Sequence, residues 1–481
     1  MAFSKRTRVM RLGERPAAAI AAVVAATIGL CACATVYNVP LNQPSANPFI
    51  APAGQAVAAV AAEQKRRGEN DGTFIGLAFS GGGTRAAAFS DGVLMRLAQT
   101  SAPHGHGDLL DRVGVVSGVS GGSVTAAYFG LKGRAALDDF RERFLTQDVM
   151  AALETNVNLV NISRALGGGA NTDNKLRDWF NANLFHDATF ADLAGRRPLV
   201  LINATDIYSR TPFLFAPLTF AAACSDITRY QLAAAVAASA AVPAAFAPIV
   251  IETFPGECQT PLPEWVQAAA KNSTASPLVR GYAVGLEKIR DGRVKYVKLF
   301  DGGLIDNFGL SGLTIMRAGA GTPYGPLRPE EAVNMRRFLF LVVDAGQGPA
   351  GDWSTTLEGP AGKELVRAVV DVLIDSNARA SYAAFEATMR NWQDALVRWR
   401  CGLKHEEVVR LRGSDGPWNC RDLKIIVGRV SFDQLDAERA KRLAKVPTSF
   451  TLPAEAVDEL IRAGGDALEV NPSFQAFVRG K

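Results

Sequence analysis

From Phe74 onward, short apolar runs alternate with longer stretches in which apolar residues recur at helical spacing. FIGLAF (74–79), VGVV (113–116), PLVLINA (198–204), VKYVKLF (294–300), FLFLVV (338–343) and LKIIVGRV (423–430) predict strands, with helix-length segments between most of them. That alternation predicts an α/β layered fold around a largely parallel sheet. Residues 361 to about 398 predict one long amphipathic helix or a pair, with Leu365, Val369, Val372 and Leu373 on one face. Core packing is the default reading of such a stripe.

The pattern before Phe74 differs. A basic start is followed by a fourteen-residue apolar run, Ala17 to Leu30, and then by Cys31 and Cys33. A membrane-spanning helix needs about 20 apolar residues and a signal-peptide core roughly 7 to 15, so an export signal over 1–33 is the better fit, with a short anchor helix as the alternative. Leu30-Cys31-Ala32-Cys33 resembles a bacterial lipoprotein box in which Cys33, preceded by a small residue, becomes acylated; Cys31 follows a bulky leucine and fits worse. Such an anchor would hold the protein on the cell envelope, beside a membrane surface. Residues 34–70, rich in Pro, Ala, Asn and Gln, read as a flexible tether, leaving one catalytic domain over 71–481.

Composition narrows the field. With 48% hydrophobic and 21% charged residues in 481, the chain can bury a large core. The net charge of +5 is mostly N-terminal: Lys5, Arg6, Arg8, Arg11 and Arg15 against Glu14 supply +4 of it, leaving about +1 for the body. A nucleic-acid partner is not expected. Cys224, Cys258, Cys401 and Cys420 form two sequence-local pairs that an oxidising compartment would join, 224 with 258 and 401 with 420; four free thiols are the alternative. None of His104, His106, His186 or His405 stands at ligand spacing from a cysteine, so no metal site is expected.

Three segments carry chemistry. Ser80-Gly81-Gly82-Gly83-Thr84-Arg85 follows a predicted strand and opens a predicted helix; its unpaired N–H groups beside a helix N-terminus suit a phosphate or an oxyanion, or serve only a tight turn. Gly118-Val119-Ser120-Gly121-Gly122 matches the G-x-S-x-G elbow, in which a strained strand-to-helix turn exposes a nucleophile. Asp301-Gly302-Gly303 ends a strand with an acid, a candidate base at the edge where open α/β sheets bind ligands. Each could be a plain glycine turn; in combination they supply the anion hole, nucleophile and base that acyl transfer requires.

In that order, and with Ala238 to Phe246 (ASAAVPAAF) between the second and third, these segments resemble the patatin-like phospholipase family. The resemblance implies a three-layer α/β fold and a serine lipid acyl hydrolase of phospholipase or lysophospholipase type, acting on membrane lipid esters through an acyl-enzyme with neither histidine nor metal. It implies Ser120 as nucleophile, Asp301 as base, the N–H groups of Gly81, Gly82 and Gly83 as the oxyanion hole and Arg85 beside it, where a surface ion pair is the plainer alternative. Ser80 departs from the aspartate common in patatins and marks a subtype. Two rivals remain: a Ser/His/Asp carboxylesterase using Ser120, Asp301 or Asp344, and His405, and a lipid-binding lipoprotein without chemistry. Phe213 to Phe215 and the region of Phe144, Val149, Met150 and Leu153 are apolar enough for a shield over the site or for plain core.

Overall fold

The structure, a computed structural model, describes residues 38–48, 71–102, 107–153, 174–243, 246–348 and 353–480. The expected export signal with Cys33, His104 and His106, and the tether outside 38–48, lie beyond the described residues.

All six predicted strands form: β1 (Thr73–Phe79), β2 (Val113–Val119), β3 (Leu199–Asp206), β6 (Tyr296–Asp301), β7 (Arg337–Asp344) and β8 (Lys424–Ser431). Two short ones were not anticipated, β4 (Thr211–Leu214) and β5 (Ile249–Glu252). The sheet order is β5-β6-β3-β2-β1-β7-β8, with β4 also on β3. Strands β3, β2, β1, β7 and β8 run parallel to one another, whereas β4 and β6 run antiparallel to β3, and β5 antiparallel to β6.

Side chains alternate across the sheet. Ile75, Leu77 and Phe79 of β1 join a core with helices α1 (Gly83–Gln99), α2 (Gly121–Lys132), α3 (Leu232–Ser239) and, late in the chain, α7 (Ala454–Val470). Phe74 and Ala78 face the other way, toward a core that includes α6 (Gly362–Gly402). Between these in sequence, α4 (Pro277–Arg290) and α5 (Ser311–Ala318) cover the β3 and β4 end of the sheet. The expected three-layer α/β fold with a mostly parallel sheet is therefore what forms.

Three expectations change. The 361–398 stripe is one helix, α6, but Leu365, Val369, Val372 and Leu373 are exposed, not core. Among the described residues, the buried positions of the helix begin at the turn of Asn377, whose Nδ2 donates to the Leu304 carbonyl at 3.1 Å, and run on through Phe385, Met389, Trp392 and Leu396. The described part of the expected tether, 38–48, is fastened to the domain: Asn38 Nδ2 donates to the Ala247 and Pro248 carbonyls, and Asn42 exchanges two hydrogen bonds with the backbone of Glu252 on β5. Those amides supply an edge strand with the partners it otherwise lacks. The Phe213–Phe215 and Phe144–Leu153 segments lie in the core; Phe213 meets Phe220 edge-on, Phe215 stacks on Tyr230, and Phe144 packs against Phe180 and Phe450. Both cysteine pairs are joined as expected, Cys224 to Cys258 and Cys401 to Cys420.

Candidate active site

Strand β2 runs into α2 through Ser120, whose backbone sits at φ 51°. A non-glycine residue there is strained by about 1–3 kcal/mol, and persists only where its surroundings hold it. The surroundings are glycine. A Cβ on Gly121 would strike the Gly83 carbonyl, and one on Gly122 would stand 2.5 Å from the Phe79 carbonyl and 2.6 Å from that of Ser80. The elbow therefore packs backbone to backbone against the end of β1 and the glycine loop.

Asp301 reaches Ser120 by a route the sequence did not suggest. Strand β3 extends past the end of β2: Val119 pairs with Asn203, and Ala204 to Asp206 project beyond. Strand β6 runs back antiparallel along that overhang and stops with Asp301 opposite Ala204. The carboxylate arrives beside the nucleophile on a returning strand, not on a parallel one. Its neighbours are the Gly303 N–H, 2.8 Å from Oδ1, and the Ser120 side chain, whose hydrogen-bonding influence lowers its pKa. Burial pushes its pKa up from 3.8 to about 6, opposed by those two hydrogen bonds in that order. Ser120 and Asp301 are only 4% and 9% exposed, so bulk water has little access to either.

The residue the sequence analysis does not single out is Ser239, within the 238–246 segment that enters there only through the family resemblance. Its hydroxyl donates to the Asn203 carbonyl at 2.6 Å and accepts from the Ser120 N–H at 2.9 Å. Its own carbonyl accepts from Gly302 N–H, and that of Ala241 from Asp301 N–H at 2.9 Å. One chain segment thus fixes the backbones of both candidate residues. The sequence shows a serine shortly before the proline, but nothing in its spacing says which distant amide it meets.

Of the three glycines expected to form an oxyanion hole, Gly81 drops out. Its N–H donates to the Asn307 carbonyl at 3.1 Å, which anchors the glycine loop to the turn after Asp301. The N–H groups of Gly82 and Gly83, at φ 141° and 59°, have no partner among the described residues, while Thr84 N–H is taken by the Ser449 carbonyl. These two donors, at the start of α1, suit an anion. Arg85 is not a surface ion-pair residue: it is 2% exposed, with Nε on the Ala345 carbonyl at 2.8 Å and Nη1 on that of Val446 at 2.6 Å. Its guanidinium lies against Gly82, so it braces the loop from behind. The Ser80 hydroxyl accepts from Ala345 N–H at 3.0 Å and donates to the Gly81 carbonyl at 3.2 Å, the second a bond that an ionised aspartate could not make.

The rival residues are not brought to this place. His405 is largely exposed and pairs with Asp415 at 3.0 Å. Asp344 ends β7 and holds Arg429 at 3.0 Å.

A search of curated proteins returns no match. Among solved structures the chain is similar to human GIVD cytosolic phospholipase A2, at 12% identity and a TM-score of 0.40, over 90% of this chain and 67% of that one. It is similar also to the same human enzyme in complex with methyl gamma-linolenyl fluorophosphonate inhibitor and terbium chloride, at 14% and 0.39, over 91% and 66%. The chain spans about two-thirds of that protein's length. The model of the patatin-like phospholipase family matches residues 77–314. That match runs from within β1, through Ser120 and Asp301, into α5, so the region that builds the site is the region similar to the patatin-like phospholipase family.

Proposed function

We propose that the chain is a serine lipid acyl hydrolase of phospholipase or lysophospholipase type, working through Ser120 and Asp301. The observation that carries this reading is a strained elbow serine set beside a buried carboxylate raised toward the pH at which a base is useful. Asp301 accepts the hydroxyl proton as Ser120 Oγ attacks the acyl carbonyl. The Gly82 and Gly83 N–H groups face the oxyanion, and the start of α2 favours the developing charge on Oγ. The protonated Asp301 then returns its proton to the leaving alkoxide, and deprotonates the water that frees the acyl group. The family match supports a lipid ester as substrate.

A panel of phospholipids, lysolipids and short-chain esters, assayed with wild type, Ser120→Ala and Asp301→Asn, tests the reading. Equal rates in all three end it. A lipid-binding protein without chemistry would show no turnover, and no fluorophosphonate label at Ser120.

The reading extends to location: acylation at Cys33 would place the protein on the cell envelope, against the membrane that holds its substrate. Two disulfides are in keeping with an oxidising compartment. Metabolic labelling with a fatty acid, absent in Cys33→Ser, is the check. No described helix is long and apolar enough to cross a membrane.

A further inference from the structure

Behind the turn that carries Asp301, between β3 and β4 on one side and α4 and α5 on the other, the fold encloses a cavity of about 500 Å³. That size lies within the roughly 300–1,000 Å³ typical of small-molecule sites. Its inner wall is buried carbon from Leu214, Phe215 and Ile315, and its outer rim, at Trp265 and Thr322, is partly exposed. Among the described residues no charged side chain lines it.

One polar atom in that wall is unmatched. Asn203, 1% exposed, has no hydrogen-bond partner for Oδ1 among the described residues. Its orientation is fixed by the other half of the amide. Nδ2 donates to Ser117 Oγ at 2.9 Å and to the Gly118 carbonyl at 3.0 Å, and exchanging the two atoms would set oxygen against that carbonyl. Oδ1 therefore points the other way, toward Gly312, where an added Cβ would stand 3.5 Å from it; Gly312 is part of the cavity wall. The two hydroxyls that could share a ligand with it are engaged, Tyr282 with Thr219 and Thr322 with Gly325 N–H. A buried acceptor left without a donor costs about 1–3 kcal/mol, which a ligand bringing one would recover.

We propose that this cavity is a binding site for a single-chain lipid whose head is an uncharged hydroxyl, its chain along the apolar wall and its O–H donated to Asn203 Oδ1. Carboxylate and phosphate heads are disfavoured, because they bring only acceptors to an acceptor and find no cation. The site is distinct from the ester-binding place at Ser120, since the turn from Gly302 to Gly309 stands between them; Gly302 packs on the Asn203 backbone and Gly309 on its side chain. It is nonetheless coupled to it. Asn203 touches the elbow strand at Gly118 and, through Ser239, the N–H of Ser120.

The test is calorimetric titration of the Ser120→Ala chain, in which turnover cannot intervene, with 1-dodecanol, dodecyl methyl ether and sodium laurate. The expected result is one dodecanol per chain, with the ether and laurate each weaker by about tenfold or more. Leu218→Trp, which fills the cavity from the helix Pro217–Ala222 in its wall, should abolish dodecanol binding while its circular dichroism melt stays that of the parent; Ala216→Phe serves if the tryptophan lowers the melt. Absence of saturable dodecanol binding, equal affinity for alcohol and ether, or binding untouched by both plugs overturns the proposal. None of these outcomes bears on ester hydrolysis, which is read separately in the wild type.

Discussion

Asp301 and Asp344 are built alike and placed differently. Each ends a strand of the same sheet, each is followed by a glycine-containing turn, and each accepts from the N–H two residues on, Gly303 at 2.8 Å and Gly346 at 2.9 Å. Burial raises the pKa of both. They part at the remaining neighbour. Asp301 meets the Ser120 hydroxyl and no described cation, whereas Asp344 meets the Arg429 guanidinium, which Asp433 also holds. A carboxylate tied to an arginine is spent as an anion; one tied to a hydroxyl in the same dry setting can still take a proton. Strand, acid and turn make neither a base nor a brace, and the neighbour decides.

Exchanging the charge at each position is the sharpest way to break that contrast. Asp301→Asn should lower kcat by about 10²- to 10⁴-fold, the usual worth of a positioned general base. Asp344→Asn should leave kcat within a few-fold, because Gly346 N–H keeps an acceptor and Arg429 keeps Asp433. Steady-state rates on one ester decide it, and similar losses at both positions would show that the arginine pair also belongs to the reacting centre.

The pH profile comes next in size. Only ionised Asp301 can accept the serine proton, so kcat/KM should rise from acid and reach half its plateau near pH 6, falling about tenfold per unit below that. Stability has the opposite sign. The folded carboxyl holds its proton up to about 6 and the unfolded one releases it near 3.8, so the associated stability is present below 3.8 and lost as pH rises through 6. Asp301→Asn should therefore melt higher than wild type at pH 8, with the gain vanishing near pH 4. Arg429→Met should do the reverse and cost about 1–2 kcal/mol in urea unfolding at pH 8, discounted for the partial exposure of Arg429.

Much of this was legible in the chain. Six strands announced themselves as apolar runs, and Ser120, Gly82 and Gly83 stood out because a strained turn and an anion hole need glycine at fixed offsets, which is local information. What stayed hidden is non-local. That Gly81 gives its N–H to Asn307 depends on a turn more than two hundred residues away, and that Asp301 comes in antiparallel depends on how far β3 outruns β2. The exposed stripe on α6 was read as core because periodicity reports that a helix has an apolar face, not that anything covers it.

The smallest expected effect is the one that removes the remaining rival. His405 has the residue type a triad needs and follows Ser120 and either acid in the chain order of α/β-hydrolases. In the fold it begins the short helix His405–Arg412, is largely exposed, and pairs with Asp415, itself exposed. An exposed pair of this kind is worth about 0–1 kcal/mol and holds nothing else in place. His405→Ala should therefore change kcat, KM and the acid limb near pH 6 by less than about twofold, within what surface substitutions ordinarily do. A loss of orders of magnitude would mean that imidazole, not the Asp301 carboxylate, receives the serine proton, and the contrast between the two aspartates would then concern structure alone.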